Sequence, residues 1–321
     1  MNQKMRIDGT TYTILDAKEF ITIADSFALN KLGTGHGEAK LYFGNESNFA
    51  ANFWDNYVDA DCFFRRGDFE KFLLDAEPEY KNPQQEYSTK EKMPDLFDKY
   101  LADVRALPQE ILPFKLQRVD VEPPRIYFRS KEVYYKMMRQ FGLPKISYLS
   151  ILKLQTDDDK HVYYFKMFVD YPEEEQNQEE ELAIEENQDI TPAQKRNLLR
   201  SRIGQGEYRE KLLKQCPFCP FTMVNDERLL VASHIKPWHK SDEEEKIDPK
   251  NGFMLTPTYD KLFDKGFISF EDDKTLRVSP WLSPLNQKRL RIADGKKISD
   301  LPLDSDRQRY LAYHREHIFK R

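Results

Sequence analysis

The sequence predicts an α+β protein in two domains, the second holding a small strand–loop–strand–helix unit. Three observations carry this. Some stretches space their apolar residues as helices do, while others are β-branched and aromatic with a turn between them. An acidic stretch without a basic residue divides the chain. Beyond it, two short apolar runs flank a polar loop and lead into a short helical pattern.

A length of 321 residues allows each half its own core. With 39% hydrophobic and 33% charged residues, the chain reads as soluble and globular, and 13% aromatics argue against disorder. No apolar run approaches the roughly 18 residues of a membrane span. The N-terminal MNQKMRIDGTTYTILD has no signal-peptide core. Three cysteines, Cys62, Cys216 and Cys219, make no disulfide framework, which points to a reducing cytoplasm.

In the first domain, residues 1–170, helices are expected over 17–32, 89–107 and 128–142, with Gly142 as a C-cap. The runs 146–155 and 161–171 flank TDDDK and read as a hairpin. This domain is expected to recognise a target or sense a signal, with basic patches at 128–131 and 135–139 as its candidate contacts. The glycine-rich GTGHG at 33–37 lacks the Lys-Ser/Thr of a phosphate loop and reads as a flexible loop. Residues 171–190, with nine acidic and no basic side chains, read as a self-repelling linker. Residues 191–321 carry 26 Lys and Arg against 19 Asp and Glu, a balance compatible with a polyanionic partner.

The second domain begins as helix, a glycine turn at 204–206, and helix. A CPFC turn follows, then an apolar run, LLVASHIKPW, in which the strand ends on His234. A polar loop, HKSDEEEKIDPKNG, leads to the strand FMLTP and the short helix TYDKLFDKG. Cleaving a phosphodiester requires a base for water, a cation to neutralise phosphate charge, and a scaffold holding both. His234 offers a base that titrates near neutrality. Asp260 and Asp264, at i and i+4 on one helix face, offer hard oxygen ligands for Mg²⁺. Asn251, in the turn before the second strand, can bond nearby backbone and fix the loop that presents His234.

The order His234, Asn251 and, nine positions on, Asp260 resembles the HNH nucleases and their ββα-metal fold. RIGQGEYREKLL, CPFC, LLVASHIKPW, DPKNGFMLTPTYDKLFDKGFISF and YLAYHREHIFK are similar, in order, to blocks of an HNH branch common in bacterial restriction-type endonucleases. The resemblance covers about 195–321. It implies a DNA endonuclease using one Mg²⁺, Mn²⁺ or other divalent cation on double-stranded DNA. His234 would be the general base and Asn251 the middle residue of the motif. Asp260 would stand at the final ligand position, and Asp264 would match the Asp of LFDKG.

A restriction enzyme is the expected role, with the first domain choosing the target and a homodimer supplying two active sites. The alternatives are an effector nuclease of a defence system and a DNA-binding module with a decayed site. Two departures from the family stand out. Ser233 precedes the base where many relatives have a metal ligand. Cys216 and Cys219 have the spacing of half a zinc site with no second pair following, so structural zinc is not expected and the thiols should pack as small apolar groups. Lys236, Arg202, Gln205 and Arg209 are candidate phosphate contacts, the last three also candidate braces of the unit. His314 and His317 are expected on a helix surface.

Overall fold

The computed structural model describes residues 3–33, 39–45, 53–55, 59–120, 125–171, 181–202 and 206–321. The chain divides into two compact units, 1–172 with 283–285, and 173–282 with 286–321. Most of the GTGHG stretch, and residues 172–180 of the expected linker, lie outside the described residues.

Among the described residues the first unit has eight strands: β1 Lys4–Ile7, β2 Thr10–Thr22, β3 Leu41–Asn45, β4 Asp59–Arg65, β5 Ile111–Val119, β6 Arg125–Arg129, β7 Ser147–Gln155 and β8 His161–Val169. Their order is β1-β2-β7-β8-β4-β5-β6-β3, antiparallel except where β4 meets β8. The expected hairpin forms, with Gln155 opposite His161 and Ser147 opposite Val169. Helices Arg66–Asp75, Met93–Arg105 and Val133–Phe141 contribute Phe69, Phe72, Phe97, Tyr100 and Tyr135 to one large core.

The helix expected over 17–32 does not form, because Thr10–Thr22 is a strand paired with β7. Bulges between Ile14 and Asp16, and between Lys18 and Ile21, insert extra residues into the pleat. The buried positions Ile14, Ala17, Ile21 and Ile23 are thereby spaced by three, four and two, which imitates a helical stripe. The expectation over 128–142 splits in two. Residues to Arg129 extend β6, and the helix begins at Val133. Gly142 ends that helix with φ −62°, so it is no left-handed cap. It is needed for closeness, since a Cβ there would lie 2.9 Å from Ile23 Cγ2. The two stretches expected as basic contacts bury Phe128, Tyr135 and Met138, and Arg139 Nε donates to the Phe27 carbonyl at 2.9 Å.

In the second unit, helices Pro192–Arg202 and Glu207–Gln215 precede a two-stranded ribbon of β9 Val231–His234 and β10 Gly252–Leu255. Helix Pro257–Asp264 packs against both strands. Strands β11 Ile268–Phe270 and β12 Leu276–Val278 form a second ribbon. Its core joins Tyr208, Leu212, Phe253, Phe263, Phe270 and Leu311. Residues 181–186 are helical, and Ile184 packs with Leu198 and Trp238 in a small satellite cluster. The acidic stretch therefore contributes at least one buried apolar side chain. Among the described residues no helix is long and apolar enough to cross a membrane.

Candidate active site

β9 ends on His234, paired across the ribbon with Gly252. The partly buried imidazole stacks on Tyr208, with ring centroids 4.4 Å apart and planes within 9°. His234 Nε2 lies 3.0 Å from the Lys246 carbonyl oxygen. A carbonyl only accepts, so Nε2 carries the proton and Nδ1 the lone pair. Among the described residues Nδ1 has no hydrogen-bond partner. Burial pushes the His234 pKa down to about 4, opposed by the bond to Lys246, which keeps the ring neutral at physiological pH.

Two glycine and asparagine positions set this geometry. A Cβ on Gly252 would overlap the Tyr208 hydroxyl and lie 2.9 Å from Leu212 Cδ2, so only glycine lets the Tyr208 ring cover the ribbon. The Tyr208 hydroxyl then donates to the Asn251 carbonyl at 3.2 Å. The Asn251 side chain is fully buried and turned into the loop. Its Oδ1 accepts from the Lys236 backbone N–H at 2.8 Å, and its Nδ2 faces the carbonyls of Lys236 (3.2 Å) and Glu245 (3.1 Å) and Ser241 Oγ (3.3 Å). Asn251 thus ties the start of the 236–250 loop to its far side, one residue from the Lys246 carbonyl that orients His234. Trp238 anchors the same loop, donating Nε1–H to Ser201 Oγ at 3.1 Å with Lys246 Nζ 4.2 Å from its ring centroid.

Helix Pro257–Asp264 carries Asp260, partly buried, and Asp264, exposed. Asp260 lies close enough to raise the Tyr208 pKa, although burial is the main cause of that rise. Residues 219–271 match the family model for HNH endonucleases. The chain carries an HNH endonuclease domain. No curated protein matches the sequence.

Within the HNH domain, Ser233 is buried and pairs with Phe253 on β10. Alternation along the strand directs it away from the face that His234 presents. Cys216 and Cys219 are buried free thiols in the apolar core. Cys216 Sγ accepts from the Met254 N–H at 3.4 Å, and Cys219 Sγ lies 3.6 Å from Thr256 Oγ1. Among the described residues no group of three or more His, Cys, Asp or Glu is placed to hold a metal.

The candidate phosphate contacts are differently employed. Lys236 pairs with Glu245 and has its Nζ 5.3 Å from the Tyr313 ring centroid. Arg209 donates to the carbonyls of Leu230 (3.1 Å) and Glu227, so it braces its helix against the approach to β9. Arg202 ends helix Pro192–Arg202, and Gln205 lies outside the described residues.

Sequence reasoning missed three supports. Tyr208 is one; its apolar spacing marks it as core but says nothing of His234. Arg307 is 2% exposed and joins Asp304 Oδ2 (2.9 Å), Gln215 Oε1 (2.9 Å), and the carbonyls of Gly252 and Pro249 (both 3.3 Å). His314 is buried rather than on a surface, and its ring stacks on Phe263 at 4.0 Å. Gly266, at φ +70°, completes the arrangement: a Cβ there would overlap the Ile318 carbonyl, and its own carbonyl accepts from Lys320 N–H at 2.9 Å.

Proposed function

We propose that the protein is a divalent-metal-dependent DNA endonuclease of restriction type, with His234 as general base. One observation carries the reading: a neutral imidazole whose Nε2–H is held by the Lys246 carbonyl and whose Nδ1 has no partner among the described residues. In this role Nδ1 accepts the proton of the water that attacks phosphorus. The Lys246 carbonyl stabilises the imidazolium that forms, and the Tyr208 ring fixes its plane. Asn251 acts as a positioning residue, since its amide is spent on loop backbone.

The donor set fits a hard cation. Asp260, with Asp264 one turn on, supplies carboxylate oxygens, and Mg²⁺ is commonly held by one or two carboxylates with waters and substrate phosphate completing its shell. The cation would neutralise charge on the phosphate and leaving oxygen. A double-strand cut requires two such sites, so the active form is read as a homodimer.

Digestion of unmethylated and methylated phage DNA with Mg²⁺, Mn²⁺ or EDTA, by wild type and His234→Ala, tests the reading. Discrete metal-dependent fragments, lost in the variant, are expected. A smear would favour an effector nuclease of low specificity. Cleavage surviving His234→Ala would remove the assigned base.

A further inference from the structure

Beside the metal-binding helix lies a cavity of about 590 Å³ that the mechanism does not use. Its wall is a stacked pair, Phe221 on Tyr259, with centroids 4.2 Å apart and planes within 9°. The Tyr259 hydroxyl donates to the Leu290 carbonyl at 2.9 Å, so the ring cannot swing away. Tyr259 is the residue before Asp260. Around the rim stand Arg291, Lys296 and Lys297, all exposed.

Several cations of the same unit are spent in ion pairs. Lys211 pairs with Glu207, Arg228 with Asp226, Lys250 with Asp304, Arg277 with Glu271 and Arg315 with Asp272. Among the described residues Arg291, Lys296 and Lys297 have no carboxylate within ion-pair distance. Asp300 is the one acid on the rim. Met223 also lines the cavity, 53% exposed and held at φ +58° by a turn in which its N–H donates to the Cys219 carbonyl at 2.8 Å. An exposed apolar side chain beside a flat aromatic wall and three exposed cations without a close ion pair is the composition of a surface that takes a nucleic-acid strand.

We propose that this cavity is a second DNA contact, in which Arg291, Lys296 and Lys297 bind phosphates flanking the scissile bond and the Phe221–Tyr259 pair takes a sugar or base face. The proposal rests on the nuclease reading, because Tyr259 and Asp260 are consecutive on one helix. The knuckle Cys216–Met223 then serves as the scaffold that presents Phe221 and Met223, a use for the CPFC turn that needs no metal.

The test is fluorescence anisotropy of labelled duplex DNA in EDTA across a KCl series. It compares wild type, R291A/K296A/K297A, and a control, K71A/K81A/K90A, from the first unit. Thermal melting establishes that each variant is folded. The first triple variant is expected to bind about ten-fold or more weakly, with a salt slope shallower by about 2 to 3, near 0.9 for each phosphate no longer neutralised. The control should keep the wild-type slope. An unchanged slope in the first variant, or an equal weakening in the control, overturns the proposal. Wild-type cleavage assayed in parallel separates the failures: a cutting enzyme with an unchanged slope loses only this surface, whereas wild type that neither binds nor cuts loses the nuclease reading as well.

Discussion

His234 and His314 sit in one unit under nearly the same conditions. Each ring stacks on an aromatic partner, Tyr208 at 4.4 Å or Phe263 at 4.0 Å. Each places Nε2 at 3.0 Å from a backbone carbonyl, of Lys246 or of Phe263. Burial pushes both down to about 4. The difference is one nitrogen. His314 Nδ1 is 3.0 Å from Ser269 Oγ, whereas His234 Nδ1 has no partner among the described residues. A stacked, neutral, oriented imidazole is thus as serviceable for joining a C-terminal helix to the core as for taking a proton. What separates the two uses is whether the second nitrogen is already bonded.

The largest effect that sharpens this contrast lies in activity, measured on the folded fraction of each variant. His234→Ala should lower the cleavage rate of the folded protein by about 10²–10⁴, beyond any cost in stability from the lost stack on Tyr208 and bond to the Lys246 carbonyl. His314→Ala should cost about 2–4 kcal/mol of stability, read by urea denaturation, and leave the rate of the folded fraction near normal. Equal losses of activity in the two folded variants would break the comparison.

Acid is the next lever. A histidine whose folded pKa is depressed takes its proton first in the unfolded chain. The stability tied to the neutral rings is therefore complete above the ordinary value of 6.5 and lost as pH falls toward about 4. Each ring should contribute on the order of 3 kcal/mol to that loss. Cleavage by folded enzyme, in contrast, should show no inflection near 6.5, and a histidine titration observed there by NMR for His234 would contradict its burial.

Asn251→Ala comes third. It strands the Lys236 N–H and several loop carbonyls, so a cost of about 2–3 kcal/mol is expected, together with reduced cleavage because the Lys246 carbonyl loses its fixed place. Full activity in this variant would show that the loop holds His234 without the amide. The smallest effect is Tyr208→Phe, which keeps the stack and loses one hydroxyl bond to the Asn251 carbonyl. It should cost about 1 kcal/mol with cleavage nearly intact, and a large loss of rate would give the hydroxyl a part in the chemistry.

The ββα unit was legible because its signals are local. His234 closes an apolar run, Asn-Gly marks the turn, and Asp260 and Asp264 fall one helical turn apart, all within thirty-odd residues. The supports were not legible, because Tyr208, Arg307 and His314 act on residues 26 to 55 positions away and only the folded chain brings them there. In the first unit, the hairpin at Ser147–Val169 was readable from alternation and its polar turn. The Thr10–Thr22 strand was not, since its two bulges erase the period of two on which such a reading depends.

Trp238 gives the 236–250 loop an optical signature. The chain has only three tryptophans, and this one is held beneath the loop by Ser201 Oγ and covered by the Lys246 ammonium. Lys246 is also the residue whose carbonyl orients the His234 ring. A displacement of the Lys246 backbone would move the carbonyl on His234 and the ammonium over the indole together, and exposure of Trp238 would shift its emission toward longer wavelength. Movement of the loop around His234 can thus be sought in intrinsic fluorescence, with no label and no substrate present.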